Sequence, residues 1–239
     1  VTSDIVEVWL ISTDVSNSVL AELTALLDEE ERERASALLF PARRRQFIAA
    51  HGAVRVILGR RMGVPPDSLR WRRGPHGKPA LAGSGPQVSL SKSGGFAALA
   101  IAADRRVGVD IQRLLADLNV TRMARRFYPP EEARFVSEAA GAAEQVERFT
   151  QLWARKEACV KVSGGRLLPG LQLTVFPADV TDANGADTGG SSAAGYLVRD
   201  LRVPAGYRAA VAADGTNPFS ITRHLMYLGQ RRYQPQPAE

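Results

Sequence analysis

The sequence predicts an α+β fold, and three observations carry that expectation. In residues 107–112, Val107, Val109 and Ile111 alternate with Gly108, Asp110 and Gln112, the period-two pattern of a half-buried β-strand. Residues 149–161 contain no glycine or proline, and Phe149, Leu152, Trp153 and Val160 recur at helical spacing, so this stretch reads as an amphipathic helix. A helix-then-strands order also occurs twice, before and after about residue 108.

Along the chain, residues 5–11 read as a strand. Residues 18–39 read as one helix whose glutamates and arginines form a solvated face. Residues 42–59 read as a second helix with Phe47, Ile48, Val54, Ile57 and Leu58 as its apolar stripe. Residues 71–80 form a turn-rich connector. Residues 88–103 read as two strands around the turn KSGG. Pro129 and Pro130 break the chain, and Glu131 and Glu132 favour a helix start after them. Residues 163–170 read as a loop, and 171–176 as a strand. Residues 178–195, rich in small and polar side chains, read as a long flexible hairpin loop. Strands follow over 196–203 and 207–213. A helix or loop around His224 and a polar, disordered tail close the chain.

Composition narrows the function. The 239 residues are enough for one large or two small domains. The formal charge of +6 and the sequence pI near 9.9 suit anionic partners: nucleic acid, a phosphorylated cofactor or an acidic protein surface. The basic residues near 43–45 have little aromatic company, which argues against a nucleic-acid patch. The lone cysteine, Cys159, forbids an internal disulfide framework and reads as a small buried side chain. No apolar run approaches a membrane span and no signal peptide is visible, so a cytoplasmic protein without membrane contact is expected.

The residues that invite chemistry are carboxylates and cations on rigid elements. Asp110 sits mid-strand, where aspartate is disfavoured and needs a cation, an ion pair or a turn bond. Glu157 and Lys161 lie one turn apart on the same side of a helix, which by itself also fits an ordinary surface pair worth a few tenths of a kcal/mol. Two carboxylates with lysine nearby suit a Mg²⁺ that also holds phosphate oxygens. Arg43, Arg44 and Arg45 oppose the dipole at their helix start, which a bound anion would relieve. Lys78 lies exposed between Gly77 and Pro79. Small residues at 91–95 let a ligand approach the backbone.

The strand G-V-D-I-Q (108–112), followed by W-A-R-K-E-A-C-V-K (153–161), resembles the signature pair of the 4′-phosphopantetheinyl transferases. The family pattern is G-[VI]-D-[IVL]-[EQ] and then [FW]-x-x-K-E-[AS]-x-x-K. G-K-P (77–79) and S-L-S-K-S-G-G (89–95) extend the resemblance, which covers about residue 30 to about residue 175. Length and layout resemble the larger, monomeric, surfactin-synthetase-activating type. The resemblance implies a pseudo-twofold fold of two similar halves, 1–107 and 108–239, with the active site in the cleft between them.

It also implies an activity: transfer of the 4′-phosphopantetheine arm of coenzyme A to a serine of an apo acyl or peptidyl carrier protein, releasing 3′,5′-ADP. Asp110, Glu157 and Lys161 are then catalytic. Asp110, Glu157 and Gln112 hold Mg²⁺ (or Mn²⁺), while Arg34, Arg45, Lys78, Ser91 and Lys92 contact coenzyme A. Glu132 is a secondary candidate, and Lys156 belongs to the motif while pointing away from the metal. Segment 114–128, with Leu118, Val120, Met123, Arg125 and Arg126, would meet the carrier. Two departures stand out. Lys92 replaces the usual histidine, and Gln112 stands where many relatives have glutamate. They leave room for a rival, a coenzyme A or nucleotide-binding module that has lost catalysis.

Overall fold

The computed structural model describes residues 4–74, 77–165, 167–175, 190–193 and 195–228. In chain order the elements are β1 (Asp4–Ser12), α1 (Asn17–Leu26), α2 (Glu29–Ser36), α3 (Pro41–Met62), a 3-10 turn (Pro66–Ser68), β2 (Trp71–Arg73), β3 (Pro79–Leu81), β4 (Gln87–Ser93), β5 (Phe96–Ala102), β6 (Val107–Arg113), α4 (Val120–Phe127), α5 (Pro130–Ser137), α6 (Ala142–Ser163), α7 (Leu167–Gly170), β7 (Gly190–Ala193), β8 (Tyr196–Leu201), β9 (Tyr207–Asp214) and β10 (Phe219–Tyr227). The fold is a mixed α+β one.

Two four-stranded sheets carry the architecture, with strand orders β10-β1-β5-β4 and β6-β9-β8-β7. Alternation along each strand sends one set of side chains to each face, and the two faces find different partners. Trp9, Ile11, Leu99 and Ile101 pack against Ala53, Val54, Ile57 and Leu58 of α3. From the opposite face, Val6, Val8, Ala98 and Ala100 meet Val107, Val109, Ile111, Ala209 and Val211 of the second sheet. The far face of that sheet, with Ala210, Ala212 and Val198, is covered by Phe149, Leu152, Cys159 and Val162 of α6 and by α4 and α5. The layers therefore run helix, sheet, sheet, helix. Alanines dominate β5 and β9 where the sheets face one another, and β6 is the strand of the second sheet that comes close to β4 and β5.

Several expectations need correction. Residues 18–39 form two helices, because Asp28 stops the first and caps the second: its Oδ1 accepts from the Glu31 amide and the Glu31 carboxylate accepts from the Asp28 amide. The 71–80 connector contains the paired strands β2 and β3. Lys92 and Ser93 belong to β4, and the turn is confined to Gly94 and Gly95. Residues 163–170 hold the end of α6 and the short α7. Residues 171–175 form no strand, because their backbone is claimed elsewhere: the Leu173 carbonyl accepts from Lys156, and the Val175 amide donates to Glu132 at 2.6 Å. Around His224 the chain is a strand, β10, running parallel to β1 with Trp9 opposite His224 and their rings stacked 4.2 Å apart. Most of the 178–195 loop, His76 and the polar tail lie outside the described residues.

Gly108 shows how closely β6 approaches α6. A Cβ at this position would fall 2.8 Å from the Val162 amide nitrogen and closer still to the Ala158 carbonyl oxygen. Neither backbone can yield without parting strand from helix. Gly108→Ala is therefore expected to destabilise the fold by about 3 kcal/mol, seen as a lower urea midpoint with little change in slope.

Candidate functional site

Edge strands β4 and β6 meet where the two sheets converge, and serines stitch the seam. Ser89, Ser91 and Ser93 alternate along β4 and so share one face. Ser89 Oγ accepts from the Val109 amide at 3.1 Å and Ser93 Oγ from the Arg113 amide at 3.0 Å. Between them, Ser91 Oγ donates to Asp110 Oδ1 at 2.6 Å. A cleft of about 400 Å³ opens beside this seam, walled by α2, α3, the β2–β3 hairpin, β4 and the last turns of α6.

Asp110 lies at the base of the seam, only 1% exposed. Its Oδ1 also accepts from Lys161 Nζ at 2.6 Å, and its Oδ2 accepts from Gln112 Nε2 at 2.9 Å. Lys161 reaches the Val109 carbonyl as well, at 3.2 Å. Glu157, one turn before Lys161, lines the cleft. Burial pushes its carboxyl above the usual range, the Asp110 charge adds to that, and Lys161 and a bond from Trp153 oppose it. Two carboxylates thus stand within each other's field.

Among the described residues no group of three or more His, Cys, Asp and Glu side chains could hold a metal ion. The donors here are instead two carboxylates and one amide, hard oxygen ligands that leave positions for water and phosphate oxygens. That set fits Mg²⁺ and does not fit an all-protein cage. Gln112 already touches Asp110, and rotating its amide would turn oxygen towards the same place.

The cleft wall is cationic. Lys78 hangs from the hairpin and donates to the Val107 carbonyl at 2.9 Å and the Val162 carbonyl at 3.3 Å, touching β6 and α6 at once. Burial and the nearby Arg106 lower its pKa to about 8. Lys92 and Arg34 sit over the Phe47 ring, 5.3 and 5.7 Å from its centroid. The crowded wall, then the charges of Lys161 and Arg34, hold the Lys92 ammonium below the usual lysine range. Cations that depress one another are a seat for an anion.

Arg34, Lys78, Lys92, Glu157 and Lys161 all line the cleft, and Lys161 ties it to Asp110, which Ser91 and Gln112 hold in the seam. Arg45 does not join them. Its guanidinium is spent on Asn17 Oδ1 at 2.7 Å and the Val15 carbonyl at 2.6 Å, fastening α3 to the start of α1. His51, which the sequence reading passed over, does line the cleft. Its Nδ1 lies 2.9 Å from Glu31 Oε1 and its ring stacks on Phe47. The available signal was its place four residues after Phe47 on the same helix face.

The remaining motif residues point the other way. Lys156 and Glu132 are fully buried and form an ion pair, with the ammonium over the Tyr128 ring at 4.8 Å. That pair binds α5 to α6 and to residues 173–175, so Glu132 and Lys156 hold the core behind the cleft. Cys159 is buried and its thiol is pushed up to about 12, which fits packing and not nucleophilic chemistry. In segment 114–128, Val120 is buried and Met123 packs on the core, while Leu115, Leu118, Arg122, Arg125 and Arg126 are exposed.

Because Lys156 and Glu132 are mutually dependent, Lys156→Met alone is expected to destabilise the protein by about 3–5 kcal/mol, since it strands a buried carboxylate. Adding Glu132→Leu should recover much of that loss. A double-mutant cycle followed by thermal unfolding checks both values.

Comparison with known proteins identifies the family. A model of the 4′-phosphopantetheinyl transferase superfamily matches residues 106–212, the span from β6 through α6 to β9. The chain is similar to the 4′-phosphopantetheinyl transferase HetI of Nostoc sp. strain PCC 7120, 32% identical over 183 residues that cover 74% of this chain and 77% of that protein. It is also similar to a phosphopantetheinyl transferase of Thraustochytrium sp., 31% identical over 66% of this chain and 60% of that protein. The human L-aminoadipate-semialdehyde dehydrogenase-phosphopantetheinyl transferase is more distant, at 24% identity over 66% of this chain and 54% of its own length. Motifs, site geometry and relatives converge: this chain belongs to the 4′-phosphopantetheinyl transferase superfamily of enzymes.

Proposed function

We propose that this chain transfers the 4′-phosphopantetheine arm of coenzyme A to a serine hydroxyl of an apo acyl or peptidyl carrier protein. One observation carries the reading: a single cleft joins the cations Arg34, Lys78, Lys92 and Lys161 to the carboxylate Glu157, and Lys161 bonds Asp110 in the adjoining seam. Cations seat the phosphates of coenzyme A. Asp110 and Glu157, with Gln112, would hold Mg²⁺ or Mn²⁺, which when bound offsets negative charge on the pyrophosphate. Glu157 accepts the serine proton as the serine oxygen attacks phosphorus and the P–O bond to 3′,5′-ADP breaks. Lys161, between Asp110 and the cleft, stabilises the departing phosphate. Ser91 orients Asp110 and borders the cofactor seat. Arg45 acts at a distance by fixing the α3 terminus.

The carrier would meet the exposed Leu115, Leu118, Arg122, Arg125 and Arg126, an apolar and basic surface suited to an acidic amphipathic helix. We place the chain with the larger, monomeric, surfactin-synthetase-activating type, its halves 1–107 and 108–239 related by a pseudo-twofold axis and β10 lent back to the first sheet. Among the described residues no helix is long and apolar enough to cross a membrane. A rival reading, a binding module without transfer, draws on the ion pair in which Lys161 already neutralises Asp110.

Intact-mass analysis of an apo carrier incubated with the protein, coenzyme A and Mg²⁺ separates the two. Transfer adds one phosphopantetheine and stops with EDTA, whereas metal-independent binding with no mass gain supports the module. Asp110→Asn and Glu157→Gln are each expected to slow transfer by at least ~100-fold, Glu157→Gln with the unfolding midpoint nearly kept and Asp110→Asn with a lowered one. Full activity in either variant would sink the assignment. Lys78 adds a pH dependence. Above about pH 8 it loses its proton in the free protein while a bound phosphate favours the ammonium, so coenzyme A affinity falls as pH rises. Isothermal titration across that range should show the fall, and Lys78→Arg should remove it.

A further inference from the structure

His51 is one of three histidines in the chain and sits inside the cleft, not on the surface. Its surroundings are unusual for an imidazole that serves only as packing. Phe47 is a platform for three groups at once: the His51 ring stacks on it at 3.9 Å, and the cations of Arg34 and Lys92 lie over it at 5.7 and 5.3 Å. From the other side Glu31 fixes the ring through Nδ1 at 2.9 Å. Glu31 itself is held by Arg55, a fully buried guanidinium that also pairs with Asp28. The charged groups facing His51 are therefore Glu31 and Arg34 from α2 and Lys92 from β4, with Arg55 and Asp28 behind Glu31.

We propose that His51 is a phosphate-binding residue of this cleft, forming with Arg34 and Lys92 a three-cation seat whose affinity is gated by the protonation of the ring. The inference rests on the proposed use of coenzyme A and assigns a residue for which the sequence reading gave no role. The gate follows from the fixed tautomer. An ionised Glu31 accepts, so Nδ1 carries the proton and a neutral ring presents a lone pair at Nε2. A lone pair repels phosphate oxygen, whereas a second proton at Nε2 makes a charged donor. Burial, with Lys92 and Arg34 acting against the Glu31 hydrogen bond, keeps the ring below its usual pKa before an anion arrives. An arriving phosphate removes the repulsion among the three cations, so binding and proton uptake go together. Lys92 stands where the family usually places histidine, and His51 supplies an imidazole to the same cleft from the neighbouring helix.

The test is isothermal titration of coenzyme A, and of 3′-dephospho-coenzyme A, into the wild-type chain and His51→Gln. Runs between about pH 6 and about pH 7.5, in buffers of different ionisation enthalpy, also count protons. Wild type should lose about tenfold in affinity over that range and take up a proton on binding, beyond whatever His51→Gln shows from titration of the ligand itself. A slope present with both ligands assigns the seat to the pyrophosphate, and one present with coenzyme A alone assigns it to the 3′-phosphate. Either supports the proposal. Equal slopes and equal proton uptake in wild type and variant overturn it.

Should His51→Gln lose its cooperative melt, Lys92→Met decides. Removing that charge should move the slope to higher pH, and an unmoved slope overturns the gate. Coenzyme A failing to bind the wild-type chain at any pH sinks the cofactor reading itself. Binding with an unaltered slope sinks only the role of His51.

Discussion

A carboxylate taken out of water must be met by donors, and the rest of this molecule is arranged so that Asp110 meets three of them. Ser91 comes from the first sheet, Gln112 from its own strand and Lys161 from α6. Those contacts lock the edges of two sheets to each other and to the helix that covers one of them. Stripped of them, the buried charge would cost several kcal/mol, so architecture and chemistry rest on the same atom. It also explains the close approach at Gly108: the strand must press against α6 for Lys161 to reach Asp110, two residues further along.

The cleft beside that seam is an electrostatic arrangement before it is a catalytic one. Its cations are mounted on groups that cannot follow them if they repel one another. Lys78 is pinned to two carbonyls, Lys92 and Arg34 rest on a buried phenyl ring, and Glu31 is immobilised by Arg55. Preorganised charge of this kind needs little rearrangement when a polyphosphate arrives.

How much of this the sequence could reveal differs from residue to residue. The strand around Asp110 and the helix around Glu157 and Lys161 were legible because alternation and helical spacing are strong local signals. Lys156 was legible only in part, as a residue turned from the metal, and its destination in the core required knowing where Glu132 lies. Arg45 could not be placed from the chain alone. An arginine at a helix start reads the same whether it reaches a ligand or, as here, the carbonyl of Val15. His51 was passed over because its meaning comes from Glu31 and Lys92, distant in sequence. The helix expected over 18–39 divided because the Asp28 capping box outweighed continuous polarity, and residues 171–175 missed strand pairing because a buried ion pair took their backbone groups.

The parallel pairing of β10 with β1 has a consequence for biosynthesis. β1 is synthesised long before its parallel partner, which comes from residues 219–227. Until then β1 has an open edge beside which no strand lies, the kind of surface on which chains join one another. The first sheet is thus closed by the latest of the described strands, a long-range contact that makes folding slow and places its vulnerable interval during synthesis.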